Sequence, residues 1–338
     1  MRKKSLHNVL TLRVGDIVEV RTGSEIRETL DETGALGGVP FMPEMLRYCG
    51  QRFRVFKRAD KTCDTIDKSG LRRMEHTVLL ENLHCDGSAH GECQAGCYLF
   101  WKEQWLRRVP RFPSPPTALV TIQTDMTQAA VVTGDRSHAE IRAALMKFAL
   151  VSHEHAVPGE ERYRCQITEL KRASFYLAPW DLRQYVRDVC SGNRKMWEVI
   201  RWLLIGTFNW FQNLRRGVTF PYIESGRLKS TPIGNLNLQP GDLVEVKTEQ
   251  EILETLNPDN MNRGLYFDVG MVRFCGEQFR VQSRANRIID QKSGKMIRVP
   301  DDNPFVILEG VICHGDFWNF CPRSEYLFWR ECWLKKAS

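Results

Sequence analysis

Between His84 and Cys97 the chain reads "HCDGSAHGECQAGC", which gathers Cys85, Cys93, Cys97, His84 and His90 in one short stretch. Thiolate and imidazole are ligands that zinc takes, about four at a time in structural sites. The spacing Cys-x7-Cys-x3-Cys is wider than a zinc knuckle, and x3 is not the spacing of a thioredoxin-like pair. Free cysteine is often just a small buried hydrophobe. That account suits Cys49, which follows an aromatic residue and precedes a glycine, better than it suits cysteines set among Asp, Gly, Ser and Glu. With Cys49 upstream, the set Cys49, Cys85, Cys93 and Cys97 could close a four-thiolate zinc site, with His90 as a further candidate and iron as the alternative ion.

A second copy of the pattern acts as an internal control. "VICHGDFWNFCPRSEYLFWRECWL" repeats the frame and the Tyr-Leu-Phe-Trp ending of the first, and supplies Cys313 and Cys321 with His314 adjacent. Cys275 stands upstream as Cys49 does. Three cysteines thus fall on equivalent positions, Cys49/Cys275, Cys85/Cys313 and Cys93/Cys321, while Cys97 becomes Glu325 and His90 becomes Trp318. Three protein ligands plus water is what catalytic zinc uses. Decay of one copy after duplication is the blander reading, and the one adopted for the second unit. His153 and His155 could face one side of a strand, but "HEHAVPGEERYR" has loop composition. Cys63 and Cys190 belong to no cluster. No glycine-rich phosphate loop, nucleophile elbow or HExxH motif is present, so no catalytic residue can be named.

The elements that carry these residues are mostly short strands. "LTLRVGDIVEVRTGSEIRETLD" (Leu10 to Asp31) matches "LNLQPGDLVEVKTEQEILETLN" (Leu236 to Asn257), and "RYCGQRFRV" matches "RFCGEQFRV". Residues 1–109 and 231–338 are therefore two copies of one unit, flanking a middle domain at 110–230. Within a unit the periodicity is two, "KSG" marks a hairpin, and "EIRETL" predicts a short helix capped by Ser24. The pattern Gly-Asp-x-Val-x-Val followed by short strands is similar to the opening of SH3-like small barrels. Phe100, Trp101, Trp105, Phe328, Trp329 and Trp333 are expected to fill the barrels. The fold class expected is α+β, with two SH3-like barrels around a mixed α/β middle.

That middle opens with "RFPSPP", a proline-rich linker, then offers strand-like "TALVTIQT" and "RYRCQITEL" with helical "HAEIRAALMKFAL" between them. Two helices follow: one from Asp181 to Gly192, and a long apolar one from Asn193 to Gly217. Apolar nearly all round, the second is expected to be buried between the barrels, with a membrane interface as the alternative.

Composition is that of an ordinary globular protein, with 42% hydrophobic and 26% charged residues and no apolar run long enough to span a membrane. The basic N-terminus lacks the apolar stretch of a secretory signal, so a reducing cytosol is expected, where 11 cysteines read as thiols or metal ligands. The net charge of +7 sits mainly in residues 111–230, with 17 basic against 11 acidic side chains. Nucleic acid is compatible with that balance but not demanded by it.

The strings "CDGSAHGECQAGCYLFWKEQWLRR" and "VICHGDFWNFCPRSEYLFWRECWLKK", joined by "WDLRQYVRDVCSGN", resemble an uncharacterised bacterial protein family over nearly the whole chain. Its members tend to be encoded near biosynthetic genes for glycans or natural products. The resemblance implies a role in biosynthesis and supplies no catalytic residues. Three functions are then expected in order: a non-catalytic, metal-stabilised adaptor for a protein or carrier partner; a metal- or thiol-dependent biosynthetic enzyme; and a nucleic-acid-binding protein using the basic middle.

Overall fold

The structure is a computed structural model that describes residues 10–67, 69–109, 135–149, 161–234, 236–300 and 303–337. His153, His155 and the expected strand "TALVTIQT" lie outside the described residues. Each copy of the repeat folds into a five-stranded antiparallel sheet that curls into a half-barrel. In the first, the order is Tyr98–Lys102, Thr77–His84, Arg52–Arg58, Ile17–Val20, Leu106–Arg108. The second repeats it: Tyr326–Trp329, Phe305–Ile312, Gln278–Ala285, Leu243–Val246, Leu334–Lys336. Register is conserved as well, with Val18 opposite Phe53 and Val244 opposite Phe279.

The period-two pattern explains this. Val18, Val20, Val244 and Val246 point inward and are buried, while their neighbours are partly exposed. Trp101, Trp105, Trp329 and Trp333 are fully buried. Each unit also satisfies its last indole alike: Trp105 Nε1 donates to Thr29 Oγ1 at 3.1 Å, and Trp333 Nε1 to Thr255 Oγ1 at 2.9 Å.

Among the described residues, five α-helices accompany the sheets: α1 (Gly23–Arg27), α2 (Asp135–Ala149), α3 (Arg183–Ser191), α4 (Met196–Leu214) and α5 (Glu249–Leu253). The caps of α1 and α5 are Thr22 and Thr248, in capping boxes with Glu25 and Glu251. Ser24 is thus inside α1 rather than its cap, because Thr22 stands three residues before the glutamate that answers it. The first unit's core also takes in Ile141 and Leu145 of α2, and Ile167, Leu170 and Ala173. Strand Phe175–Leu177 pairs with Leu71–Arg73, so the middle segment is stitched into the first unit.

The expected strand "RYRCQITEL" is instead reduced to bridge residues at Arg162 and Tyr163, the first paired with Lys295, followed by turns. Gln166 accounts for the difference. Its side chain accepts from Phe100 N (2.7 Å) and donates to the carbonyls of Phe100 and Pro40 (both 2.9 Å), replacing a ladder with one buried amide.

The two units meet directly and reciprocally. The cysteine loop of the first rests on the second unit's hairpin Arg287–Ile289/Met296–Arg298: Gln94 N donates to Arg287 O at 2.8 Å. The cysteine loop of the second rests on the first unit's hairpin Lys61–Cys63/Leu71–Arg73: Lys61 Nζ donates to Asn319 O at 2.7 Å. This contact fills the space in which α4 was expected. Helix α4 lies outside it, with only Val199 and Gln212 buried, and polar residues such as Glu198, Arg201 and Asn209 interrupt its apolar sequence. Among the described residues, no helix is long and apolar enough to cross a membrane.

Candidate metal centre

The cysteine loops of the two units have the same backbone frame. Cys85 N donates to Cys97 O at 2.8 Å, and Cys313 N to Glu325 O at 2.7 Å. Gly87 O accepts from His90 N and Glu92 N, as Gly315 O does from Trp318 N and Phe320 N. Both glycines have positive φ, 73° and 70°, and a Cβ on either would stand about 2 Å from the carbonyl oxygen of Cys93 or Cys321. The loop therefore depends on glycine at this position in both units.

Side chains distinguish them. In the first unit Cys85, at the end of strand Thr77–His84, is 3.3 Å from His90 Nε2 and 3.5 Å from Glu44 Oε1. Glu44 lies in the 3-10 turn Pro43–Tyr48, and its Oε1 is 3.8 Å from His90 Nδ1. Donor atoms from the three residues lie within 4.8 Å of one another, so the group could hold a metal ion.

Glu44 and His90 are buried, and Glu44 Oε2 and His90 Nδ1 have no hydrogen-bond partner among the described residues. Burial pushes the Glu44 carboxyl and the Cys85 thiol up and brings the His90 imidazole down to about 4. Without a cation, both acids are thus held toward their neutral forms. A bound cation would offset that cost and stabilise the carboxylate and thiolate as ligands.

Beside the group is a cavity of about 40 Å³ lined by Cys85, His90, Cys93, Cys97 and Cys165. Cys165 comes from the turn after Arg162, drawn in by the neighbouring Gln166. The structure thus brings Cys85, Cys93, Cys97 and His90 around one space. Two further residues join them, Cys165 and Glu44; both are remote in sequence from the loop, and Glu44, which sits in no ligand-like motif, is the one that sequence reasoning missed.

Cys49 does not join. It caps the 3-10 turn and packs on the first core, where burial raises its thiol to about 11. Cys93 is buried, its sulfur accepting the N–H groups of Ala95 and Ile289, the latter across the units.

The second unit brings together no such group among the described residues. The positions of Glu44 and His90 are occupied by Gly270 and Trp318, and Trp318 bonds Asp268. Cys275 packs on the second core and is raised to about 11 by burial, as is Cys313. His314 lies against Phe274, ring centres 6.2 Å apart. Cys321 has another partner altogether: Cys63 of the first unit, whose N–H donates to its sulfur at 3.1 Å. Burial opposes ionisation of Cys321, but the Cys63 thiol and the Arg323 guanidinium outweigh it and bring Cys321 down to about 6. Cys63 is raised by the same contact. Cys63 stands where the second unit has Ile289, so this thiol pair exists on one side only.

Set against known proteins, the chain matches no family model and no curated protein.

Proposed function

We propose that the protein is a non-catalytic, zinc-stabilised adaptor, built from two SH3-like units, that serves a protein or carrier partner in a bacterial biosynthetic pathway. The observation that carries this reading is the buried Glu44, Cys85 and His90 group beside a cavity lined by three further thiols. An O, N and S donor set suits zinc, with iron as the alternative. The cavity has room for an ion but is far below the few hundred Å³ that enclose a small-molecule substrate. An ion held by Glu44, Cys85 and His90 would tie the 3-10 turn to the cysteine loop, which is a structural task. The resemblance noted above supports the biosynthetic setting.

Chelation tests the reading. Removing the ion should lower the melting temperature and raise hydrogen exchange in residues 85–97. A metal that leaves without changing either would mark the site as something other than structural.

A second reading, a thiol-dependent enzyme, rests on Cys321 and Cys63. A thiolate stable near neutral pH is the form that acts as a nucleophile.

A further inference from the structure

Helix α4 carries a face that the fold leaves uncovered. Trp197 is 57% exposed, Leu204 67% and Trp210 67%, and Met196, Ile200, Leu203, Phe208, Phe211 and Leu214 are exposed as well. At 3.6 residues per turn these nine side chains fall within about 160° of the helix circumference. The opposite side, through Val199 and Trp202, packs on Tyr185 and Phe320. A single polar side chain, Thr207, sits inside the apolar arc, and its hydroxyl donates to Leu203 O at 2.9 Å. The other polar atoms of the face are the indole N–H groups of Trp197 and Trp210, one near each end.

Charge says what could cover it. From Asp181 to Arg216 the chain has seven basic and three acidic residues. All three acids are engaged: Asp181 with Arg183, Asp188 with Lys61, and Glu198 with Arg194. Lys195 stands exposed before the first turn, Arg201 at the border of the arc, and Arg215 and Arg216 after the last turn. Both ends of the helix are thus cationic. A second copy laid along this face, parallel or antiparallel, would set cation against cation. A surface of anionic lipid answers both ends at once, and tryptophans near each end of an apolar face suit the head-group boundary.

We propose that α4 is a monotopic anchor, lying in the plane of an anionic membrane with its Trp-rich face among the upper acyl chains and its flanking Lys and Arg on lipid phosphates. The anchor holds the two units at the surface without crossing it. Long basic side chains at the rim reach the phosphates while their stems remain in contact with apolar surface.

Co-sedimentation of the full chain with vesicles tests this. Vesicles of phosphatidylcholine with phosphatidylglycerol should carry the protein down, and vesicles of phosphatidylcholine alone should carry much less. The double variant Trp197→Ala/Trp210→Ala should lose about tenfold in partitioning. Its melting temperature should not change, because both side chains are exposed. Raised salt should weaken the wild type. No sedimentation with anionic vesicles, or equal sedimentation of the double variant, would overturn the proposal. So would a lipid-free dimer that the double variant abolishes, which would assign the face to a second copy.

Discussion

The two cysteine loops share one backbone and have come to hold different chemistry. In the first unit, Cys85 faces Glu44 and His90 in a buried pocket; in the second, Cys313 has Gly270 and Trp318 in the corresponding places. The second cysteine of each loop accepts an N–H from the other unit's hairpin, yet only one of those hairpins offers a thiol, Cys63 opposite Cys321. Duplication has preserved what the fold needs, the glycine turn and the Trp lock, while the residues that could do chemistry have diverged. The difference shows that ligand identity is set by the elements facing the loop as much as by the loop.

The largest effect should come from what the units share. Trp101→Ala and Trp329→Ala each empty a fully buried site and should cost about 3–5 kcal/mol, measured by denaturant unfolding. Markedly unequal costs would break the equivalence of the cores. Next comes the transplant. Gly270→Glu with Trp318→His restores in the second unit the partners that Cys85 has in the first, and should raise bound metal from one equivalent toward two. A Cβ at Gly270 meets Asp268 Oδ1 at 2.8 Å, so Asp268 must turn aside. A stable double variant that gains no metal would mean that further residues, such as Cys165, are indispensable to the first site.

A smaller effect separates Cys321 from Cys93. Ultraviolet thiolate absorbance should appear as pH rises through about 6, and should be lost in Cys321→Ser but not in Cys93→Ser, whose thiol is raised by burial. Cys63→Ala should move that transition upward, since it removes the Cys63 thiol, one of the groups that stabilise the thiolate. The smallest effect is expected at Leu204→Asp. At an exposed position it should change stability by no more than about 0.5 kcal/mol. A misfolded variant would return α4 to the interior.

Much of the scaffold could be read from residues alone. Alternating Val18/Val20 and Val244/Val246, the Trp pairs and the hairpin glycines each follow from a local rule, and the duplication repeats them. The candidate site was legible only in part. Cys85, Cys93, Cys97 and His90 announce themselves by type and proximity. Glu44 and Cys165 reach the same place through tertiary packing, and Cys49 fits a ligand pattern while serving as core. Helix α4 misled for a related reason: apolar composition shows that a face needs covering, not that this chain covers it. The Cys63–Cys321 contact joins residues 258 positions apart, beyond any local pattern.

Elemental analysis of the purified protein, run on wild type and matched variants, tests the central claim most directly. The account predicts about one equivalent of zinc in wild type, lost together with several degrees of melting temperature in Cys85→Ser and His90→Ala, and retained in Cys313→Ser. Less than about half an equivalent in wild type, or loss of metal in Cys313→Ser with retention in Cys85→Ser, would contradict it.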